Sequence, residues 1–395
     1  MRLALIGPSA PLRGGIAQYH DRLATALAAS GHTVQRLSFR RMYPRLLFPG
    51  RTQYEPAASA PGAGAASPVG AAASNLLLPA EALLDSLGPR SWAAVARRAA
   101  SADAAIVEWW HPFFAPALAV IATLLRRRGV PAIFICHNLE PHEPVPAGAR
   151  LAALALGRAA GFVAQSGADA ARLRAAYPGR PVQVVLPPAE APPPCAHRGD
   201  AHACARALGL PAAARRLLFF GYVREYKGLP TLLAALPAVA NDVQLVVAGE
   251  IYHRDASHYR ALAAAAGVAD RVVLLDRFLA ATEVACCFAV SDLVVLPYWE
   301  ASQSAVVALA MACGRGVVAT AVGGLPDLVR PGETGLLVPP RDVSALAAAI
   351  VSALDQAPRL GRGAKDAARA LDWHAAAMTI ADLAATAIGG ASAPC

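Results

Sequence analysis

Short apolar runs recur along the chain, each closed by Gly, Pro or a small polar residue and followed by apolar positions at helical spacing. In the first half these runs are Arg2–Ile6, Thr33–Leu37, Ala104–Glu108, Ala132–Cys136, Phe162–Ala164 and Val182–Leu186. In the second half they are Leu217–Phe220, Gln244–Ala248, Val272–Leu275, Leu293–Leu296 and Val317–Ala319, with a short one at Leu336–Val338. Strands that are apolar throughout rather than alternating, with helices between them, predict parallel sheets covered on both faces. The expected class is α/β: two doubly wound, Rossmann-like domains facing each other across a cleft. The proline-rich passage Pro187–Pro194 marks the boundary, giving domains over 1–188 and 189–372. A last helix of about four turns, near 373–390, either packs back on the first domain or simply finishes the second.

Two strand-to-helix turns stand out. The first runs from Gly7 to Gly15 and leads into a helix from about Ile16 to Ser30 that turns Ala17, Leu23 and Leu27 inward. It fits neither G-x-G-x-x-G nor the P-loop pattern. Gly14 and Gly15 either let the backbone approach a phosphate or sugar ring closely or form a plain tight turn. The second turn follows Leu217–Phe220: Gly221 breaks the strand and a helix pattern starts at Gly228, with Leu229, Leu232, Leu233 and Leu236 on one face. Arg224 and Lys227 thereby fall at the carboxyl end of a buried strand, where open parallel sheets bind ligands. Two cations beside a helix N-terminus suit a diphosphate, and a pair of solvated surface cations is the other reading. The strand Ala132–Cys136 delivers His137 and Asn138 to its own sheet edge in the same way.

The chain has 395 residues, 56% of them hydrophobic and 16% charged, which is enough apolar material for two cores and too much for a disordered protein. A net charge of +9 points to an anionic partner: a nucleotide sugar, an acidic lipid surface or nucleic acid. Nucleic acid is the weakest of the three, because no zinc finger, basic heptad region or aromatic-basic platform is present. The segment Phe39–Phe48 mixes cations with large apolar groups, and reads either as a weak, reversible contact with an anionic membrane or as a loop whose aromatics pack inward. Trp109–Leu125 is uncharged but interrupted by His111, Pro112 and Pro116, so a loop and a packed helix are expected rather than a membrane span. The Ala/Gly/Pro/Ser-rich stretch 57–73 reads as a mobile excursion. Seven cysteines are scattered without a C-x-x-C pair, which supports neither a zinc site nor a thioredoxin motif. Buried or incidental thiols in a reducing cytosol are expected. The first residues read as a strand rather than a signal segment. A cytoplasmic location is therefore expected, with contact at the inner face of the cell membrane left open.

With these residues placed, the chain resembles the retaining glycosyltransferases of the large family four, which have the GT-B fold. The resemblance covers nearly the whole chain. It is carried by Gly14-Gly15-Ile16-Ala17, Trp109-Trp110-His111-Pro112-Phe113-Phe114, His137-Asn138 with Pro141-His142-Glu143, and Phe220-Gly221 with Arg224 and Tyr226-Lys227-Gly228. Pro297-Tyr298, Ser302-Gln303-Ser304, Gly323-Gly324-Leu325-Pro326-Asp327 and Thr334–Val338 complete the set. The resemblance implies that the second domain binds a nucleotide-diphosphate sugar, with Arg224 and Lys227 on the diphosphate, and that the first binds a glycan or glycolipid acceptor. It implies no metal and no other cofactor. His137 matches the family's cleft histidine, with a role in orientation or in a hydrogen bond to sugar or acceptor, though a satisfied structural histidine fits its strand-end position as well. His111 and His142 are weaker candidates. Phe278 matches the place where backbone groups hold the base.

The family's paired glutamates, separated by seven residues, are not in register here. Leu309 stands at the second position and Ala301 at the first, with Glu300 one residue earlier. Leucine cannot accept a hydrogen bond from a ribose diol. A related branch carries Ser-Gln-Ser-Gly-Val at this place, and Ala305 replaces its glycine. The donor-binding candidates are therefore Gly14, Gly15, Phe278, Glu300, Gln303 and the backbone N–H groups of Ser304, Ala305 and Val306. The implied function is retaining transfer of a hexose-type sugar from a nucleotide sugar to a glycan or lipid-linked acceptor. The alternatives are a donor-binding partner of another transferase, without turnover, and a GT-B nucleotide-sugar epimerase.

Overall fold

A computed structural model describes residues 1–44, 53–54, 79–140, 145–195, 197, 200–213, 215–252 and 254–391. The expected excursion at 57–73, residues 45–48 and the Pro141-His142-Glu143 motif lie outside the described residues. The chain divides into two compact units, one of Met1–Leu186 with Trp373–Cys395 and one of Pro187–Asp372.

The sheet of the first unit contains β1 (Arg2–Ile6), β2 (Thr33–Arg41), β3 (Glu81–Asp85), β4 (Ala104–Trp109), β5 (Ala132–Cys136), β6 (Gly161–Ala164) and β7 (Val182–Val184). Their spatial order is β3-β2-β1-β4-β5-β6-β7, with every ladder parallel. β4 and β5 are buried at every position, as their unbroken apolar runs require. The sheet is wider than the apolar runs predict. Glu81-Ala82-Leu83-Leu84-Asp85 carries too little apolar character to read as a strand, yet it pairs with β2 across a register shift and draws β2 out to Arg41. At the other edge β7 stops at Val184, short of the expected Leu186.

The helices of this unit are α1 (Gly15–Ala29), α2 (Pro89–Arg98), α3 (Ala115–Arg126), α4 (Gly148–Leu156), α5 (Gly167–Ala176) and, from the far end of the chain, a helix over Trp373–Ala391. That last helix has 19 residues, about five turns rather than four. It lies on α1, where Ala377, Ile380 and Ala381 share a buried cluster with Leu3, Leu23 and Leu27. α3 begins only after a turn at Pro112–Phe114, so the uncharged run from Trp109 is a strand end, a turn and a helix. Among the described residues no helix is long and apolar enough to cross a membrane. The described part of the cationic-aromatic segment packs inward. Phe39 is buried against Trp110 and Phe114, and Tyr43 stacks on Phe113 with ring centroids 5.5 Å apart. Arg40 and Arg41 pair with Asp85 at 3.5 and 2.8 Å.

The second unit holds β8 (Arg215–Phe220), β9 (Val243–Ala248), β10 (Val272–Leu275), β11 (Leu293–Leu296), β12 (Gly316–Thr320) and β13 (Gly335–Val338), again all parallel, in the order β10-β9-β8-β11-β12-β13. Its helices are α6 (Ala201–Ala207), α7 (Leu229–Ala235), α8 (Ala256–Ala265), α9 (Ala281–Ala289), α10 (Ala305–Ala312), α11 (Leu325–Leu328), α12 (Val343–Asp355) and α13 (Ala357–Ala368). The helix of Trp373–Ala391 becomes α14 in this numbering.

Gly228, between the second cation and α7, has φ +68° and packs so closely that a Cβ would lie 1.9 Å from the Pro297 carbonyl oxygen. Gly267 has nearly the same φ, +69°, with nothing within 4 Å of its Cβ position. Gly267→Ala should therefore cost only the left-handed backbone strain, about 1–2 kcal/mol. Gly228→Ala should cost clearly more, because backbone must move. Urea denaturation of the two variants checks this, and equal losses would mean that Gly228 is retained for φ alone.

Candidate functional site

In a doubly wound sheet, the loops after two neighbouring strands part in opposite directions at the point where strand order reverses, leaving a crevice at their carboxyl ends. In the second unit that point lies between β8 and β11, so the loops that follow them line the two sides of the crevice. The β8 loop carries Arg224 and Lys227, the latter in a single 3₁₀ turn over Glu225–Lys227 that precedes α7. The β11 loop carries Pro297 to Ser304 and leads into α10. Two hydrogen bonds join them: the Trp299 N–H donates to the Tyr226 carbonyl at 2.7 Å, and the Trp299 indole donates to the Thr231 hydroxyl at 2.9 Å.

Lys227 is half-buried, and its ammonium turns inward. Nζ lies 5.4 Å from the centroid of the buried Tyr298 ring and 3.1 Å from the point where Gly221 would carry a Cβ. Val306, at the start of α10, touches that same point at 3.7 Å. Loss of water, and then the nearby Arg224 guanidinium, lower the Lys227 pKa to about 7. Arg224 sits with its guanidinium carbon 5.3 Å from the Tyr252 ring centroid. α7 has only seven residues, so these side chains supply more of the local positive charge than its dipole does.

The remaining donor-side candidates separate. Ser304 is buried at the N-cap of α10, and Ala305 is exposed at its first residue. Gln303 Oε1 is a buried acceptor without a hydrogen-bond partner among the described residues. The Ser302 carbonyl is held by the Gly324 N–H at 2.9 Å, which fixes the Ser-Gln-Ser stretch against the loop after β12. Glu300 is exposed, Leu309 is half-buried on α10, and Phe278 follows the edge strand β10, with β9 between it and β8.

In the first unit the reversal lies between β1 and β4. Gly14 caps α1 with φ +123°, Gly15 opens that helix, and neither has an atom within 4 Å of its Cβ position. Asp21 ties the loop after β1 by accepting from the Ser9 hydroxyl, the Ala10 N–H at 3.0 Å and Arg36 at 2.9 Å. His137 stands just past β5 but is only 3% exposed. It meets the Tyr19 ring edge-on at 4.9 Å, and its Nε2 is 3.8 Å from Glu108 Oε2. Glu108, wholly buried on β4, also faces His20 Nδ1 at 3.3 Å. Burial, only partly offset by Gln165, lowers the His137 pKa to about 4, while burial raises that of Glu108. His111 accepts from the Phe113 N–H at 3.1 Å and caps the turn before α3, a structural task.

Glu108, His20 and the buried Arg13 went unnoticed in the sequence. A charged residue at the end of an apolar run was the available signal for Glu108. The Gly7 position, where a Cβ would lie 2.7 Å from Glu108 and 2.8 Å from His20, explains the glycine that ends β1.

Residues 14–189 match the family model described as glycosyl transferase 4-like domain, and residues 214–356 match that of glycosyl transferases group 1. The D-inositol 3-phosphate glycosyltransferase of Xylanimonas cellulosilytica is 34% identical over 226 residues, 56% of this chain and 53% of that protein. The Mycobacterium tuberculosis protein of the same name is 35% identical over 187 residues, 47% of this chain and 36% of that protein. The matches thus span about half or less of these curated relatives. Among solved structures, sucrose-phosphate synthase from Thermosynechococcus elongatus superposes with a TM-score of 0.71 at 24% identity, covering 98% of this chain and 99% of that one. Anabaena HepE, solved in complex with UDP-glucose, gives a TM-score of 0.72 at 20% identity, covering 97% and 99%. The two parallel sheets are those of the GT-B fold, and the chain carries a glycosyl transferase 4-like domain followed by a glycosyl transferases group 1 domain.

Proposed function

We propose that the chain is a retaining glycosyltransferase that moves a hexose-type sugar from a nucleotide-diphosphate sugar to a hydroxyl of a glycan or lipid-linked acceptor, without a metal. The observation that carries this reading is the inward-turned Lys227 ammonium beside Arg224, at the reversal point of the second sheet. As the sugar–phosphate bond breaks, negative charge gathers on the departing diphosphate. Fixed cations in a site that excludes water stabilise that charge most. The acceptor hydroxyl bonds to the anomeric carbon on the face the diphosphate leaves, and a leaving phosphate oxygen takes its proton. The structure of HepE with UDP-glucose supports a nucleotide-sugar donor for this fold. Gln303 Oε1, a buried acceptor without a partner among the described residues, suits a hydroxyl of the donor sugar. In the first unit, His137 is neutral at pH 7, so its part is orientation of the sugar or acceptor and not proton uptake.

Arg224→Ala and Lys227→Ala should each weaken binding of the nucleoside diphosphate product and slow turnover by roughly a hundredfold or more. Calorimetry with uridine, guanosine and thymidine diphosphates checks this and identifies the base. Unchanged affinity in both variants, with every nucleotide, sinks the proposal. Added Mg²⁺ or Mn²⁺ should leave the rate unchanged.

The lowered Lys227 pKa sets a pH dependence. Below about pH 7 the unliganded lysine is already charged and affinity is greatest. Above it, the group must take up a proton to bind the diphosphate, so affinity should fall by up to about tenfold per pH unit. Lys227→Arg should flatten that slope, since arginine stays charged throughout. A wild-type slope that persists in Lys227→Arg would assign it to another group.

A second reading, a donor-binding partner without turnover, draws on Leu309 and the exposed Glu300, which leave no carboxylate against the ribose in the family's usual register. Incubation with nucleotide sugars separates the two: slow release of sugar favours the transferase, and binding without release favours the partner.

A further inference from the structure

Three cysteines that are far apart in sequence meet in the second unit. Cys195 lies on the segment that leads into the unit, Cys204 on α6 and Cys286 on α9, and α6 packs against α9. All three are buried, at 5%, 0% and 4% exposure, and their sulfur atoms lie within 4.8 Å of one another. Cys204 Sγ is 3.4 Å from Cys195 Sγ and 2.6 Å from Cys286 Sγ. The neighbouring Cys287 is not part of the group, nor are Cys136 and Cys313.

We propose that Cys195, Cys204 and Cys286 form a binding site for one thiophilic metal ion of the zinc class, separate from the transfer site and structural in role. Three sulfur ligands, with no His or carboxylate among the described residues joining the group, select a soft or borderline ion over magnesium or calcium. Three bonds of about 2.3 Å at tetrahedral angles place sulfur atoms about 3.8 Å apart, so Cys204 and Cys286 must move apart to take the ion while Cys195 is already near its place. Binding breaks three S–H bonds, forms three metal–sulfur bonds and releases three protons, with no change of oxidation state. The dipositive charge of zinc offsets most of the three negative charges, and a tetrahedral ion keeps a fourth position for an external ligand. The ion ties the leading segment and α6 to α9, contributing to the fold of the unit directly.

The test uses the whole chain, reduced with a phosphine and stripped of metal, then titrated with Zn²⁺ and, as a spectroscopic probe, with Co²⁺. The expected result is one ion per chain, the charge-transfer absorption of cobalt thiolate and a higher melting temperature with Zn²⁺. Losing a residue that merely supports a ligand weakens metal affinity by about 10–100-fold, so Cys195→Ser should weaken it at least that much. Cys313→Ser should bind as the wild type does. Cys195 lies outside the helices, and the circular dichroism of its serine variant confirms that the variant has folded. Absence of stoichiometric binding, or equal binding by Cys195→Ser, overturns the proposal. So does a Cys204–Cys286 disulfide in freshly purified protein that excludes Zn²⁺, which would make the group a redox pair. None of these readouts depends on glycosyl transfer, so failure here leaves the proposed activity standing.

Discussion

A lysine ammonium turned out of water lies uphill unless something opposite takes its charge. Lys227, half-buried, goes part of that way: it faces the Tyr298 ring and the bare backbone of Gly221, and Arg224 repels it. Much of the surrounding architecture serves to hold it there. The reversal of strand order brings the β11 loop alongside, Trp299 fastens that loop to the lysine's own turn, and Gly228 lets the turn pass beneath Pro297. A surface lysine would relax into solvent. Among the described residues no acidic group pairs with this one, an arrangement found where a ligand completes the electrostatics.

The first unit solves a related problem by neutralisation. Glu108 lies between two histidines at the end of a strand that is otherwise wholly apolar. Burial pushes the carboxyl and the His137 imidazole each toward its uncharged form, which lowers the cost of keeping polar groups in a dry interior. His137 is therefore a shaped, neutral surface held by Tyr19 and Glu108, quite unlike the charged pair of the second unit.

The legible part of the sequence was the part governed by local pattern. β5 and β11 end where their apolar runs end, because a strand buried on both faces is apolar throughout. β3 was invisible because its five residues are stabilised by pairing with β2, a tertiary effect with no local signature. Arg224 and Lys227 could be placed on their turn because Gly221 and Gly228 bracket it. The inward direction of the ammonium could not be read, because it depends on Tyr298 and Val306, about 70 or more residues further on. The cysteines show the same limit: spacing rules see only ligands close in sequence, whereas Cys204 and Cys286 meet through the packing of two helices.

The return of α14 to the first unit bears on how the protein is made. Tyr19, whose ring meets His137 on one side, meets Trp373 on another at 5.0 Å, and Ser30 reaches His374 at 3.1 Å. The stretch Pro187–Asp372 must therefore leave the ribosome before the face of α1 is covered. At about 5–20 residues per second that wait is on the order of ten seconds or more. During it, Leu23, Leu27 and their neighbours lack the helix that shields them, so the nascent first unit is the stage at which chaperones have most to hold.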